Sequence, residues 1–453
     1  MKTNHIFLRH FSTGMLTPNG QISHEPGLPP AESIQTYEYY KGIKDYDCPI
    51  NPSWEPDVEI EISVTPKISY LLSDMVEVLK GDDYLNIVYV PMNYPTWRWF
   101  DTQYPHIMHD LEVLADPLQP WKIAVVFDYN NETILPGNFA NNEGQLECLK
   151  DKDFSEFYCS TMAWDRENVL DTIGFRAIIS NLCVLGTYFF RCIKEDPSLK
   201  MGKIYTDVDN NYPIRYFCPN NVFRANRAMA MVKMHKKQML EGTEWNMNKF
   251  SQWYEMDQFH DHNPFKHYAD EYFKLFGTNQ RSMSYPWNLT YNSDRQLEDR
   301  DVYSRKSSGC YDCFDKSLMQ KAYIYICNET FTDAPQEPAI NPTKPVRVGD
   351  FSEKIIKGFM YGKPMFINAR QGTMKMVEDL GFDMFRDMNH IDYDTIEDDS
   401  ARVDAMLECA KKFPKPTTVM VERMQKNTAL IYSKEFWWST QKDFLQILLD
   451  NHS

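Results

Sequence analysis

Tyr323-Ile-Tyr-Ile-Cys-Asn-Glu-Thr330, a Pro-rich gap, and then Asp350-Phe-Ser-Glu-Lys-Ile-Ile-Lys-Gly-Phe-Met-Tyr-Gly-Lys-Pro-Met-Phe-Ile-Asn368 decide the fold. The first run is apolar and ends in Asn-Glu, as a buried strand does at its carboxyl end. Ser352 is a good helix N-cap and Gly362 a good residue to follow a helix, so the spacing predicts a short helix between them. Met365 to Asn368 then reads as a second buried strand. In a strand-loop-helix-strand unit, the carboxyl end of one strand and the amino end of the next helix border one crevice, where open α/β sheets bind nucleotides. Glu353 and Lys354, in the first helical turn, have the chemistry to meet a ribose hydroxyl and a phosphate oxygen, and the helix dipole adds attraction for the anion. A sugar-nucleotide site is the first expectation.

Outward from this unit, the chain has the composition of a globular protein. It has 453 residues, 43 % hydrophobic and 25 % charged. That length suits two α/β domains of roughly 200 residues each. A net charge of −16 argues against a large basic surface following a nucleic-acid backbone. Ten cysteines are scattered, several within apolar runs, and read as reduced core residues. The pair Cys310 and Cys313 has no second pair at zinc spacing. The amino terminus lacks an apolar signal segment, and the most apolar window, Ile173 to Phe190, carries Arg176 and Asn181 and reads as a buried helix. A cytoplasmic protein with no membrane span is expected, in the host cytoplasm if the protein is viral.

Strands at Val58 to Val64, Tyr84 to Val90 and Trp121 to Phe127 alternate with helical patterns, which implies a mainly parallel sheet. Residues 1–58, rich in Pro, Gly, Asn and Tyr, read as an irregular arm. Residues 59–200 read as a Rossmann-like domain on the acceptor side, with a long helix from Val169 to Ile193. Residues 201–430 read as the nucleotide-sugar domain, with a strand over Arg215 to Cys218 and a helix from Ala228. Residues 431–453 form a terminal amphipathic helix that is expected to pack on the first domain. The expected fold class is α/β, with two Rossmann-like domains.

Arg224 and Arg227 stand three residues apart between a strand and a helix, so both can lie on one helical face. A guanidinium fork suits phosphate, although a solvated helix face gives the same pattern. Asp207-Val-Asp209, beside Asn210 and Asn211, reads as a turn, and His260, His262 and His267 lack a further ligand at diagnostic spacing, so no metal is assigned.

The two quoted blocks resemble the donor-binding signature of the α1,3-fucosyltransferase family, in which a strand ending in Glu-Asn-Ser precedes Thr-Glu-Lys and a Gly-x-Pro-Val strand. The upstream Asn220, Asn221, Arg224 and Arg227 are similar to that family's Ser-Asn and Arg-rich block. Leu380 to Phe385 and Ile391 to Asp394, followed by Asp398 to Arg402, resemble the tail of uncharacterised glycosyltransferase-like proteins of large phages and environmental bacteria. The resemblance spans roughly residues 203–412 and implies two Rossmann-like domains facing across a cleft, the B-type glycosyltransferase arrangement. It implies that Glu353 holds the donor ribose and that Lys354 and Arg224 contact the diphosphate with support from Arg227. Asn328 or Glu329 then lines the same pocket, and Ser352 and Asn221 complete the donor set. The order here is Asn-Glu, not Glu-Asn, and the loop before Ser-Glu-Lys is longer.

The expectation is a GDP- or UDP-linked donor, no further cofactor, no catalytic metal, and an acceptor that is a glycan, a protein or a modified base; the resemblance implies an inverting transfer. The proton-accepting base is sought in the first domain, where Asp128, Asp101 and Glu132 are candidates and Asp128, at a strand end, is the one put forward. Two other readings stay open. One is a virion-associated or scaffold protein using the fold as a binding module. The other is sugar transfer to modified bases of phage DNA.

Overall fold

Among the described residues, six strands form the first sheet, β1 (Lys2–Phe7), β2 (Glu59–Val64), β3 (Tyr84–Pro91), β4 (Lys122–Tyr129), β5 (Tyr158–Thr161) and β6 (Ala177–Ser180), in the order β2-β1-β3-β4-β5-β6. Every pairing is parallel. Four more, β7 (Ile214–Cys218), β8 (Thr243–Trp245), β9 (Ala322–Asn328) and β10 (Met365–Asn368), form a second parallel sheet in the order β10-β9-β7-β8. Counted from its own first strand, each sheet begins 2-1-3-4, the doubly wound order whose switch point lies between strands one and three. The chain is therefore α/β with two Rossmann-like sheets.

The computed structural model describes residues 2–7, 31–65, 76–91, 109–110, 112–114, 116, 118, 120–129, 155–161, 176–180, 182–195, 208, 212–220, 224–245, 265–276, 319, 321–329 and 352–452. The described residues of Met1–Arg191 and Ser433–Ser453 form one compact unit, and those of Cys192–Pro335 and Gly349–Tyr432 form a second. The helices are α1 (Ala31–Asp45), α2 (Cys183–Glu195), α3 (Ala225–Lys236), α4 (Lys266–Phe276), α5 (Glu353–Met360), α6 (Thr373–Asp379), α7 (Asp399–Lys412), α8 (Thr418–Ile431) and α9 (Lys434–His452). Among the described residues, no helix is long and apolar enough to cross a membrane.

Within the stretch read as irregular, residues 2–7 are β1, hydrogen-bonded to both β2 and β3, and residues 31–45 are α1. β1 hides from pattern reading because Thr3, Asn4 and His5 are buried polar residues. Their partners are supplied by the fold: Asn4 Nδ2 donates to Asn86 Oδ1 at 2.9 Å, and His5 Nδ1 lies 2.9 Å from the Tyr89 hydroxyl. The apolar window read as one helix from Val169 to Ile193 instead contains strand β6 and then α2. A short continuous apolar run fits a buried parallel strand as well as a buried helix, so periodicity does not separate them.

Helix α9 belongs to the first unit. Trp437 is fully buried against Phe189, centroids 5.2 Å apart, and its carbonyl accepts from the Tyr39 hydroxyl at 2.5 Å. Trp438 Nε1 donates to Asp57 Oδ1 at 2.9 Å.

In the second unit all seven residues of β9 are buried. A parallel strand covered on both faces must be apolar along its whole length, which is why Tyr323 to Cys327 shows no alternation. Helix α5 lies close on this sheet because Gly358 has no side chain: a Cβ there would meet Met365 Sδ at 1.8 Å and Tyr325 Cδ1 at 3.0 Å. At its far end Gly362 takes φ 58°, and Lys363 N donates to Gly358 O at 3.0 Å, closing the helix with a left-handed turn.

Candidate functional site

The carboxyl ends of β7, β9 and β10 carry a buried polar cluster. Asn220 follows β7, Asn328 ends β9 and Asn368 ends β10, and each is at most 2 % exposed. Asn368 Nδ2 donates to Asn328 Oδ1 at 2.8 Å, Asn328 Nδ2 donates to Asn220 Oδ1 at 3.0 Å, and Asn220 Nδ2 donates to the Cys218 carbonyl at 3.2 Å. A carbonyl only accepts, so this last bond orients each amide along the row. The Asn328-to-Asn220 bond bridges β9 and β7, the switch point of this sheet.

Asn328 Nδ2 also lies 3.2 Å from Cys218 Sγ. Burial pushes the Cys218 thiol up to about 12, while the Asn220 and Asn328 amides and the positive charge of Arg227 pull the other way. The thiol is therefore neutral. Its electrostatic coupling to Arg227 brings that guanidinium into the same corner.

Arg224 is the N-cap of α3 in extended conformation, with φ −145°, and its side chain does not cap the helix. Asn226 and Arg227 follow in the first turn, both buried. Asn226 Nδ2 donates to the Glu329 carbonyl at 3.1 Å, tying the start of α3 to the end of β9.

Glu329 itself is 1 % exposed. Its carboxylate accepts from the Ser352 hydroxyl at 2.5 and 2.7 Å and from Lys354 Nζ at 3.1 Å. Ser352 caps α5 by accepting from Lys354 N at 3.2 Å. Glu353 is the first helical residue. Segments beginning at residues 218, 328, 352 and 368 are thus joined by hydrogen bonds around one strand-end corner.

Of the residues read from sequence, Asn220, Asn328, Glu329, Ser352 and Lys354 are joined in this corner by their side chains, Arg227 acts on it through the Cys218 thiol, and Arg224 and Glu353 stand beside it at the starts of α3 and α5. Asn221, Asp101, Glu132, Asp207, Asp209, His260, His262, Cys310 and Cys313 lie outside the described residues. Asp128 belongs to the first unit, at the carboxyl end of β4; it is 1 % exposed and accepts from the Thr36 hydroxyl at 2.7 Å. Among the described residues, no group of three or more His, Cys, Asp or Glu side chains is arranged to hold a metal ion.

Asn368 and Asn226 were missed by sequence reading. The signal for Asn368 was present: Tyr325-Ile-Cys-Asn328 and Met365-Phe-Ile-Asn368 are two apolar triplets each ending in Asn, and they pair in register, Asn368 opposite Asn328. Asn226 sits between the two arginines and gave no separate signal.

At the opposite, amino-terminal edge of this sheet lies a cavity of about 570 Å³ lined by Ile214, Thr243, Glu244, Trp245 and Phe276 among others. Burial raises the Glu244 carboxyl above its usual range, with Lys321 opposing the rise. None of the corner residues lines this cavity.

No protein-family model and no curated protein matches the sequence. Among solved structures, the chain is similar to an α,α-trehalose 6-phosphate synthase from Burkholderia multivorans, with TM-score 0.40 and 10 % identity over 99 % of this chain and 97 % of that one. It is also similar to an α,α-trehalose-phosphate synthase (UDP-forming) from Burkholderia vietnamiensis, with TM-score 0.41 and 9 % identity over 99 % of both chains. Likenesses this distant carry no weight for function, and the parallel sheets above stand on their own hydrogen bonds.

Proposed function

We propose that this protein is a glycosyltransferase that takes a sugar from a nucleoside-diphosphate donor, bound at the carboxyl end of the second unit's sheet. The observation that carries the reading is the convergence at the switch point. Lys354, a capped helix N-terminus, three linked amides and the start of α3, which carries Arg224 and Arg227, come from distant parts of the chain to one strand-end corner, where open α/β sheets bind nucleotides.

Transfer requires a diphosphate to leave, so negative charge grows on it in the transition state and must be met by fixed positive charge. Lys354, Arg224 and Arg227 supply that charge together with the α5 dipole, which gives a route to metal-independent transfer. Glu353, at the first position of α5, is assigned the ribose hydroxyls. Asn328 and its linked amides are assigned a positioning role. The GDP- or UDP-linked donor and the inverting outcome follow from the fucosyltransferase-like signature and share its standing. Asp128 is the proposed base on the strength of its place at a strand end; the acceptor is unidentified.

Titration calorimetry with GDP and with UDP tests this reading on the full chain. Binding of at least one of them is expected, with a loss of about tenfold or more in Arg224→Ala, as removal of a charge-assisted phosphate contact implies. Unchanged affinity in that variant, or no binding of either nucleotide, contradicts it. Binding without turnover across a panel of nucleotide-sugars would favour the binding-module reading.

A further inference from the structure

Glu329 is a buried member of the corner whose charge opposes an anionic ligand. Its carboxylate is 1 % exposed, yet it is not isolated: Ser352 Oγ stands 2.5 and 2.7 Å from its two oxygens, and Lys354 Nζ stands 3.1 Å from Oε2. Ser352 Oγ also lies 3.1 Å from Lys354 Nζ, so the three groups close on one another. The hydroxyl and the ammonium at the start of α5 are the groups that an anion at this helix end would use. Glu329 already occupies both.

We infer that Glu329 is a resident counter-anion, and that any phosphate ligand of this corner binds by displacing it from Ser352 and Lys354. This rests on the donor-site reading above and concerns which members of the phosphate class the site retains. A carboxylate held on the same chain competes at a high effective concentration, so it weakens every anionic ligand by a common factor. Orthophosphate offers Lys354 little that Glu329 does not already offer. A pyrophosphate group has a second phosphate to offer the Arg224 and Arg227 segment, which Asn226 ties to the Glu329 backbone at 3.1 Å. The corner is thereby a site for pyrophosphate-bearing ligands in which single phosphates are turned away by an internal competitor.

Calorimetry of the full-length chain with sodium pyrophosphate and with sodium orthophosphate tests this in the wild type and in Glu329→Gln, with thermal unfolding run beside it. Removing the competing charge is expected to tighten pyrophosphate by about tenfold or more and to bring orthophosphate, weak or silent in the wild type, into the measurable range. If Glu329→Gln fails to fold, Glu329→Asp serves instead: it draws the carboxylate back by one methylene, and a smaller gain in pyrophosphate affinity is expected. Unchanged or weaker pyrophosphate binding in the folded variant overturns the counter-anion role while leaving the donor site standing. Absence of pyrophosphate binding in wild type and variant alike overturns both.

Discussion

Lys354 is held by a buried charge, and that changes what its removal does. The side chain of Glu329 is 1 % exposed and that of Lys354 18 % exposed, so the pair is sheltered from solvent on the carboxylate side. Truncating one partner of a buried pair leaves an uncompensated charge and typically destabilises by about 3–5 kcal/mol. Lys354→Ala is therefore expected to lower stability as well as ligand affinity, and Glu329→Gln in the same chain is expected to recover most of the lost stability. Urea denaturation of the two single variants and the double variant checks this; an additive double variant would show that the pair is not coupled. The reactive ends of this site were legible in the sequence because Ser-Glu-Lys after an apolar strand marks a helix start. That Glu329 would take Lys354 was not legible, since the pairing depends on a strand end and a helix start meeting across a gap of 25 residues.

Helix α5 is the element that carries Ser352 and Lys354, and its position depends on Gly358. A methyl group there would fall within 1.8 Å of Met365 Sδ and 2.7 Å of its Cγ, so either the Met365 side chain or the helix must move. Overpacking of this kind destabilises by about 1–3 kcal/mol. Gly358→Ala is expected to lower the denaturation midpoint by that order and to weaken nucleoside diphosphate binding, because α5 shifts away from β9 and β10. Wild-type affinity in a folded Gly358→Ala protein would show that Met365 absorbs the change alone.

Sequence reading found β2 by its alternation, β3, β4, β7, β9 and β10 by their largely apolar runs, α5 by its caps, and α3 and α9 by their helical pattern. Helix α8 was passed over although Met420, Met424, Asn427, Thr428 and Ile431 are its buried face at helical spacing. Two of those five are polar. Asn427 is tied by its side chain to the backbone of Asp383 at 2.8 Å in both directions, and Thr428 donates to Phe359 O at 2.9 Å. Buried polar residues with distant partners concealed α8 for the same reason that they concealed β1.

At the scale of the whole molecule, each unit buries a basic group that burial drives toward its neutral form, and the two respond in different pH ranges. In the first unit, burial lowers His5 from 6.5 to about 3. Between those values the unfolded chain holds a proton that the folded chain does not, so stability rises with pH across that window and is lost as pH falls through it. In the second unit, burial lowers Lys363 from 10.5 to about 7. The unfolded chain again holds the extra proton, so stability of this unit rises from about pH 7 toward 10.5. The bond from Lys363 Nζ to the Ala322 carbonyl, 2.6 Å, and the Tyr212 ring 5.2 Å away both favour the charged amine and moderate the effect. Each group contributes at most ~1.4 kcal/mol per pH unit. Chemical denaturation from pH 4 to about 8, below the range in which unfolded thiols ionise, is expected to show both rises, and Lys363→Met is expected to remove the upper one alone. A flat profile above pH 7 in the wild type would contradict the buried neutral amine.

The account as a whole depends on the corner where β7, β9 and β10 end being a pyrophosphate site. A crystal structure of the chain soaked with GDP and UDP tests this most directly. The expected result is a diphosphate at the N-terminus of α5, within hydrogen-bond distance of Lys354 and of Arg224 or Arg227, with the Glu329 carboxylate displaced from Ser352. A nucleotide bound elsewhere, or an unchanged Glu329–Lys354 pair at saturating nucleotide, would contradict it.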